Sequence, residues 1–203
     1  MDRGLDEQWL TLSHLGVLVR YADDLVVLCR TRQRAEKARQ RVAATLAPLG
    51  LHLHPDKTRL VSLAQGRDGF DFLGFHHRLV KSWKWQGRYY LNKWPSSRAM
   101  GSIRAKVRQR TDRRYASASM DVIVGSLNPV LRGWGNYFRH GNSSRKFAAV
   151  NSYVHQRLAR LASTKHGLRG LSWERRFNHR WFQSLGVHRL TGTVGPWGAN
   201  ARR

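Results

Sequence analysis

The chain has 203 residues, 41% of them hydrophobic, enough for one large domain or two small ones around a packed core. Its formal net charge of +25 points to a polyanionic partner, for which nucleic acid is the default. No apolar run approaches the ~18 residues of a transmembrane helix, Asp2, Asp6 and Glu7 lead us to expect no signal peptide, and the single cysteine, Cys29, excludes an internal disulfide and fits a reducing cytosol. An anionic membrane surface is the other polyanion, but no lone basic amphipathic anchor is present. The charge is unevenly placed. Residues 1–30 hold three basic and five acidic side chains, whereas 122–203 holds fourteen basic residues and one acid, Glu174. A high-GC gene would account for Arg in place of Lys, but not for the shortage of acids.

In chain order, Leu15 to Leu28 predicts a β-hairpin: two short Val- and Leu-rich runs flank Tyr21-Ala22-Asp23-Asp24. Thr31 is a candidate N-cap for a helix to about Leu49, with Ala35, Ala38, Val42, Leu46 and Leu49 on one face and arginines on the other. Gly50 fits the helix stop. Short strands are predicted at Leu51–Leu53 and Arg59–Leu63, around a turn at Pro55-Asp56-Lys57, and a third at Phe70–Phe75. Leu79 to Trp94 predicts a hairpin turning near Gln86-Gly87, with Trp83, Trp85, Tyr89 and Tyr90 on its strands. Beyond it the period becomes helical. Ser96 or Ser97 caps a helix carrying Ile103 and Val107, and Met120–Leu127 forms a short helix. Asn128-Pro129 signals a new start for a helix with Val130, Leu131, Trp134, Tyr137 and Phe138 that Gly141 ends. Ser143 or Ser144 caps the longest helix, with the stripe Phe147, Val150, Val154, Leu158 and Leu161. Trp173, Phe177 and Trp181 fall at helical spacing on a last one. The fold class expected is α+β.

Asp23 and Asp24 carry the sharpest chemistry. Adjacent like charges repel, so a fold keeps them solvated or neutralised by a cation. Two Mg²⁺ ions clamping an in-line phosphoryl transfer need carboxylates of this kind. The plainer reading is an Asp-rich hairpin turn. His52 and His54 alternate as a metal pair would, but they have no Cys or acidic partner in register. Asn178-His179 is too little for a nuclease motif without the Cys pairs such domains often carry. Arg132, Arg139, Arg145, Lys146, Arg157 and Arg160 lie on helices whose other faces are apolar. They suit phosphate contacts, with a solvated helix face as the alternative. Trp134, Tyr137 and Phe138 read as core more than as base-stacking groups.

The ordered set of pieces resembles a known family. Strand, Tyr21-Ala22-Asp23-Asp24, strand, amphipathic helix, Leu49-Gly50-Leu51, Pro55-Asp56-Lys57-Thr58 and Phe72-Leu73-Gly74-Phe75 resemble the second half of a reverse-transcriptase palm. Leu127-Asn128-Pro129 through Gly133-Trp134-Gly135-Asn136-Tyr137-Phe138 is similar to the maturase-specific (thumb) region of group II intron-encoded proteins. The resemblance implies a partial palm of antiparallel strands with one packed helix over 1–80, a linker β-hairpin at 81–96 and an all-α thumb/maturase region over 97–203. It implies an RNA-directed DNA polymerase and maturase that uses Mg²⁺ and binds intron RNA and an RNA/DNA primer-template in the bacterial cytosol or nucleoid. In that frame Asp23 is the metal-binding carboxylate and Asp24 its neighbour beside the metals. Tyr21 and Ala22 approach the primer end and the incoming nucleotide. Lys57 would protonate the leaving pyrophosphate or neutralise its charge, or is an ordinary turn lysine. Phe72, Leu73, Gly74 and Phe75 match the hairpin that supports the primer, with plain core as the alternative for Phe72 and Phe75.

A complete palm needs a further carboxylate from an earlier strand, and Asp2 and Asp6 sit too near Asp23 to supply it. The matched pattern is thus the C-terminal half of the family's, without the fingers and the first palm Asp. Three readings follow: a truncated or split reverse transcriptase with a separately encoded N-terminal half, a non-enzymatic RNA-binding maturase-type protein, or a gene remnant. Each predicts little or no polymerase activity from the chain alone.

Overall fold

The computed structural model describes Glu7, Trp9, Thr11 and residues 14–167 and 176–195. It divides the chain into two compact units, Met1–Leu73 with Arg78–Tyr90, and Gly74–His77 with Leu91–Arg203.

The first unit opens on β1 (Val17–Tyr21) and β2 (Asp24–Leu28), antiparallel with Val17 opposite Leu28 and Tyr21 opposite Asp24. The register leaves Ala22 and Asp23 as a two-residue turn, and Ala22 takes φ 52° to make it. Gly16 precedes β1 because a Cβ there would lie 2.5 Å from the Leu28 carbonyl oxygen. Helix α1 (Arg32–Leu46) starts where Thr31 Oγ1 accepts from the Arg34 amide. It ends through a 3₁₀ turn at Ala47–Leu49 into Gly50 at φ 68°. Trp9, Leu15, Ala38 and Val42 are buried together, with Leu18, Leu25, Val27, Leu46 and Leu53 against them. This small core packs the hairpin that carries the carboxylate turn against α1.

The predicted strands at Leu51–Leu53 and Arg59–Leu63 are absent: residues 51–63 have no ladder partner. Their burial still alternates, with Leu51 and Leu53 half-buried and His52 and His54 exposed. Alternation was present without a neighbouring edge to pair with, and pairing is what makes a strand. The expected strand Phe70–Phe75 is instead a bend between β3 (Gly69–Phe72) and β4 (Phe75–Lys81). Leu73 (φ 48°) and Gly74 (φ 75°) form its turn, both in the left-handed region, as mirror-type hairpin turns require. β5 (Tyr89–Pro95) completes a sheet in the order β3-β4-β5; Trp83 and Trp85, expected on the strands of this hairpin, lie instead in the loop at 82–88, because the strand pairing stops at Lys81 and resumes at Tyr89.

The second unit is helical. Helix α2 (Ser97–Arg110) is capped by Ser96, whose Oγ accepts from the Ala99 amide. Helix α3 (Met120–Phe138) is continuous, so the predicted break at Asn128-Pro129 is corrected. Pro129 removes one N–H, and the i−4 position its ring meets is Gly125. Meanwhile Ile123, Val124, Leu127, Leu131, Gly135 and Phe138 keep one buried stripe across it. Packing of that stripe outweighs a single lost hydrogen bond. Helix α3 also stops at Phe138, before Gly141. Ser143 precedes helix α4 (Ser144–Lys165) but does not cap it; its buried Oγ donates to the Phe138 carbonyl. Phe147, Val150, Val154, Leu158 and Leu161 of α4 join the stripes of α2 and α3 in the main core. Helix α5 (His179–Ser184) begins at Asn178, whose side chain accepts from the Arg180 and Trp181 amides. Phe177 precedes this cap, so Phe177 and Trp181 are not on one uninterrupted helix; Trp173 lies outside the described residues.

Candidate nucleic-acid interface

The carboxylate turn is solvent-facing. Asp23 occupies the turn and Asp24 opens β2, both exposed, and Tyr21 is 65% exposed. The Arg20 guanidinium donates to the Ala22 carbonyl at 3.3 Å, tying the turn from the side of β1. Lys57 lies exposed in the Pro55–Lys57 turn, where the Lys57 and Thr58 amides both donate to the His54 carbonyl. Phe72 and Leu73 are half-buried and Gly74 exposed. A Cβ on Gly74 would rest 3.4 Å from the Phe138 ring, and the Gly74 carbonyl accepts from the Ser96 amide.

Asp23 and Asp24 offer hard oxygen donors of the kind Mg²⁺ takes. Among the described residues, however, no three or more His, Cys, Asp or Glu side chains are grouped to hold an ion. The pair has the right chemistry and too few ligands for a two-metal cage. Cys29 is no activated nucleophile: burial pushes its thiol up, against a smaller pull from Arg34.

The basic residues divide by what they touch. Arg132, Arg139, Arg145 and Arg160 are exposed, and Lys146 is half-exposed. Arg157 is engaged: its Nε donates to Thr111 Oγ1 at 3.0 Å and a terminal nitrogen donates to the Thr111 carbonyl at 2.8 Å. It joins α4 to the end of α2, where Thr111 is buried. Trp134 and Phe138 pack on Phe147 and Phe75, as core, whereas Tyr137 is 53% exposed while stacking on Phe75.

Two asparagines act at long range: Asn128, which the sequence marks only as a helix start, and Asn151, which no motif marks. Asn128 Nδ2 donates to the Gly186 carbonyl and its Oδ1 accepts from the His188 amide. Asn151 does the same for Thr191 Oγ1 and the Leu190 amide. Together they hold residues 186–191 along α3 and α4, and the fully buried Leu190 fits where Gly135 has no side chain. No local pattern signals such long-range partners.

A family model described as reverse transcriptase (RNA-dependent DNA polymerase) matches residues 2–77. A second, described as group II intron, maturase-specific domain, matches residues 100–181. The chain belongs to the group II intron reverse transcriptase/maturase family. The two matches cover more than three quarters of its length. No curated protein matches the chain. The reverse-transcriptase match takes in the carboxylate turn, α1 and the Leu73-Gly74 turn; the maturase-specific match begins within α2 and ends within α5. As expected, the fold is mixed α and β with a helical second part. The family implies binding to RNA and a divalent metal in general terms. No described helix is long and apolar enough to cross a membrane.

Proposed function

We propose that this chain acts through its basic surface as an RNA-binding maturase-type protein, and that intron RNA is its partner. The observation that carries this reading is charge on a defined scaffold. Within the residues matched by the maturase-specific domain, exposed Arg104, Lys106, Arg108, Arg132, Arg145 and Arg160 lie on helices whose opposite faces form the core, and exposed Arg139 follows the end of α3. Phosphate contacts and shape readout suffice for such binding.

Asp23 and Asp24 are proposed as part of a Mg²⁺ site for nucleotidyl transfer, with Tyr21 and Ala22 beside the primer end. Lys57 is proposed at the leaving pyrophosphate, and Phe72, Leu73 and Gly74 under the primer. Two carboxylates do not complete a two-metal clamp, so the polymerase reading requires a further Asp from another segment or chain, such as a separately encoded N-terminal half. What the Asp pair supports is a catalytic half-site; what the basic helices support is RNA binding without one.

The test is template-primed dNTP incorporation with Mg²⁺, by the chain alone and mixed with a candidate N-terminal half, with Asp23→Ala as control. The expected result is no incorporation by the chain alone, with salt-sensitive RNA binding retained. Incorporation only on mixing, and lost in Asp23→Ala, would add a split polymerase to the RNA-binding reading. Robust extension by the purified chain alone would overturn the half-site account.

A further inference from the structure

Between the two family matches lies the tip of the β4–β5 hairpin, residues 82–88, which neither match covers. We propose that this tip is a base-stacking site for unpaired nucleotides, with Trp83 as the stacking platform. The inference rests on the nucleic-acid reading above and adds to it a second, sequence-tolerant contact.

Trp83 is 96% exposed and Trp85 52%. A ring as large as indole left in water forgoes a substantial burial gain, so a fold that presents one has left a face available. The loop that presents it is built. Ser82 Oγ accepts from the Lys84 amide at 3.2 Å and the Trp85 amide at 2.9 Å, and the Ser82 amide donates to the Arg88 carbonyl at 2.8 Å. The Arg88 amide returns to the Trp85 carbonyl, and Gly87 takes φ 73° to close the turn. Trp83 therefore projects from a hydrogen-bonded frame.

The surroundings choose the occupant. Lys84 Nζ lies 5.5 Å and the Arg88 guanidinium 5.6 Å from the Trp85 ring centroid, which places two cations beside the aromatic pair. No acidic residue occurs between Asp71 and Asp112. Aromatic faces with adjoining cations match a strand whose bases offer π-faces and whose backbone carries phosphates. A purely apolar protein surface would leave Lys84 and Arg88 without partners, so the charge complementarity favours nucleic acid.

The experiment is fluorescence anisotropy of the full chain with two end-labelled 12-nucleotide strands at one salt concentration. One is oligouridine RNA and the other a ribose-phosphate strand of abasic sites. Trp83→Ala is expected to weaken oligouridine binding about tenfold and to leave the abasic strand unchanged, and Trp83→Phe to recover most of the loss. Because Trp83 is exposed, these variants should melt together with the parent. Equal losses on both strands, or no loss on either, would overturn the stacking site while leaving the basic helices as the binding surface. Failure of the parent chain to bind either strand at low salt would overturn both this proposal and the RNA-binding reading.

Discussion

Arg157 separates what a residue type suggests from what its neighbours make of it. On sequence it belonged with the phosphate-binding arginines, yet its guanidinium meets Thr111 twice. Removing it leaves the Thr111 carbonyl with one donor fewer beside a buried residue, which costs about 1–3 kcal/mol. Arg157→Ala should therefore lower stability by that amount in urea unfolding. Arg160→Ala, at an exposed position, should leave stability within about 0.5 kcal/mol. His188 carries the one pH prediction. Burial, and then Arg132, hold its imidazole below the ordinary 6.5. Above 6.5 both folded and unfolded chains hold it neutral, and it contributes no pH dependence. As pH falls below 6.5 the unfolded chain takes up the proton first, so stability is lost from there down to the lowered folded value. His188→Asn should flatten that part of the stability profile between pH 7 and 5, measured by thermal melts; an unchanged slope would reject the assignment. The carboxylate pair, by contrast, could be read at once, because two adjacent Asp residues between apolar runs are a local pattern.

At the scale of elements, two hairpin turns and two caps were legible, while the cap expected of Ser143 and the helix start at Asn128 did not form and long-range pairing was not legible. The Ala22-Asp23 turn, the Thr31 and Ser96 caps and the turn near Gln86-Gly87 depend on a few neighbouring residues. The strands expected at 51–53 and 59–63 depended on a partner edge that alternation cannot reveal. Helix α3 shows the opposite override. Asn128-Pro129 is a strong local start signal, but Asn128 spends its side chain on Gly186 and His188 while the helix runs through. An interior Pro costs a helix about 3 kcal/mol relative to Ala. Pro129→Ala should therefore raise the melting temperature, by a free energy up to about that figure. Asn128→Ala should lower it, by about 1–2 kcal/mol for two backbone groups left without their side-chain partner. A Pro129→Ala variant less stable than the parent would mean that the ring itself packs better than the lost hydrogen bond costs.

For the whole molecule the governing quantity is charge. With +25 on 203 residues, RNA binding should be dominated by phosphate contacts and counterion release. If about six phosphates are neutralised, affinity for a structured RNA should fall about a thousandfold between 50 and 200 mM salt, read from filter-binding or anisotropy titrations. A slope near zero would count against the basic helices as the binding surface.

What the sequence by itself determined was what local order and composition can carry: a polyanion partner, a carboxylate-bearing hairpin followed by an amphipathic helix, a change to helices after the second hairpin, and the family. Each rests on residues within a turn or two of one another, or on totals over the chain. Only the tertiary structure decided that Arg157 is a tie, that α3 runs through its proline, that Asn128 and Asn151 hold the segment at 186–191, and that Trp83 stands out from a closed frame while Trp134 is packed. Those outcomes turn on partners tens of residues away, and on which side of an aromatic ring is left to water.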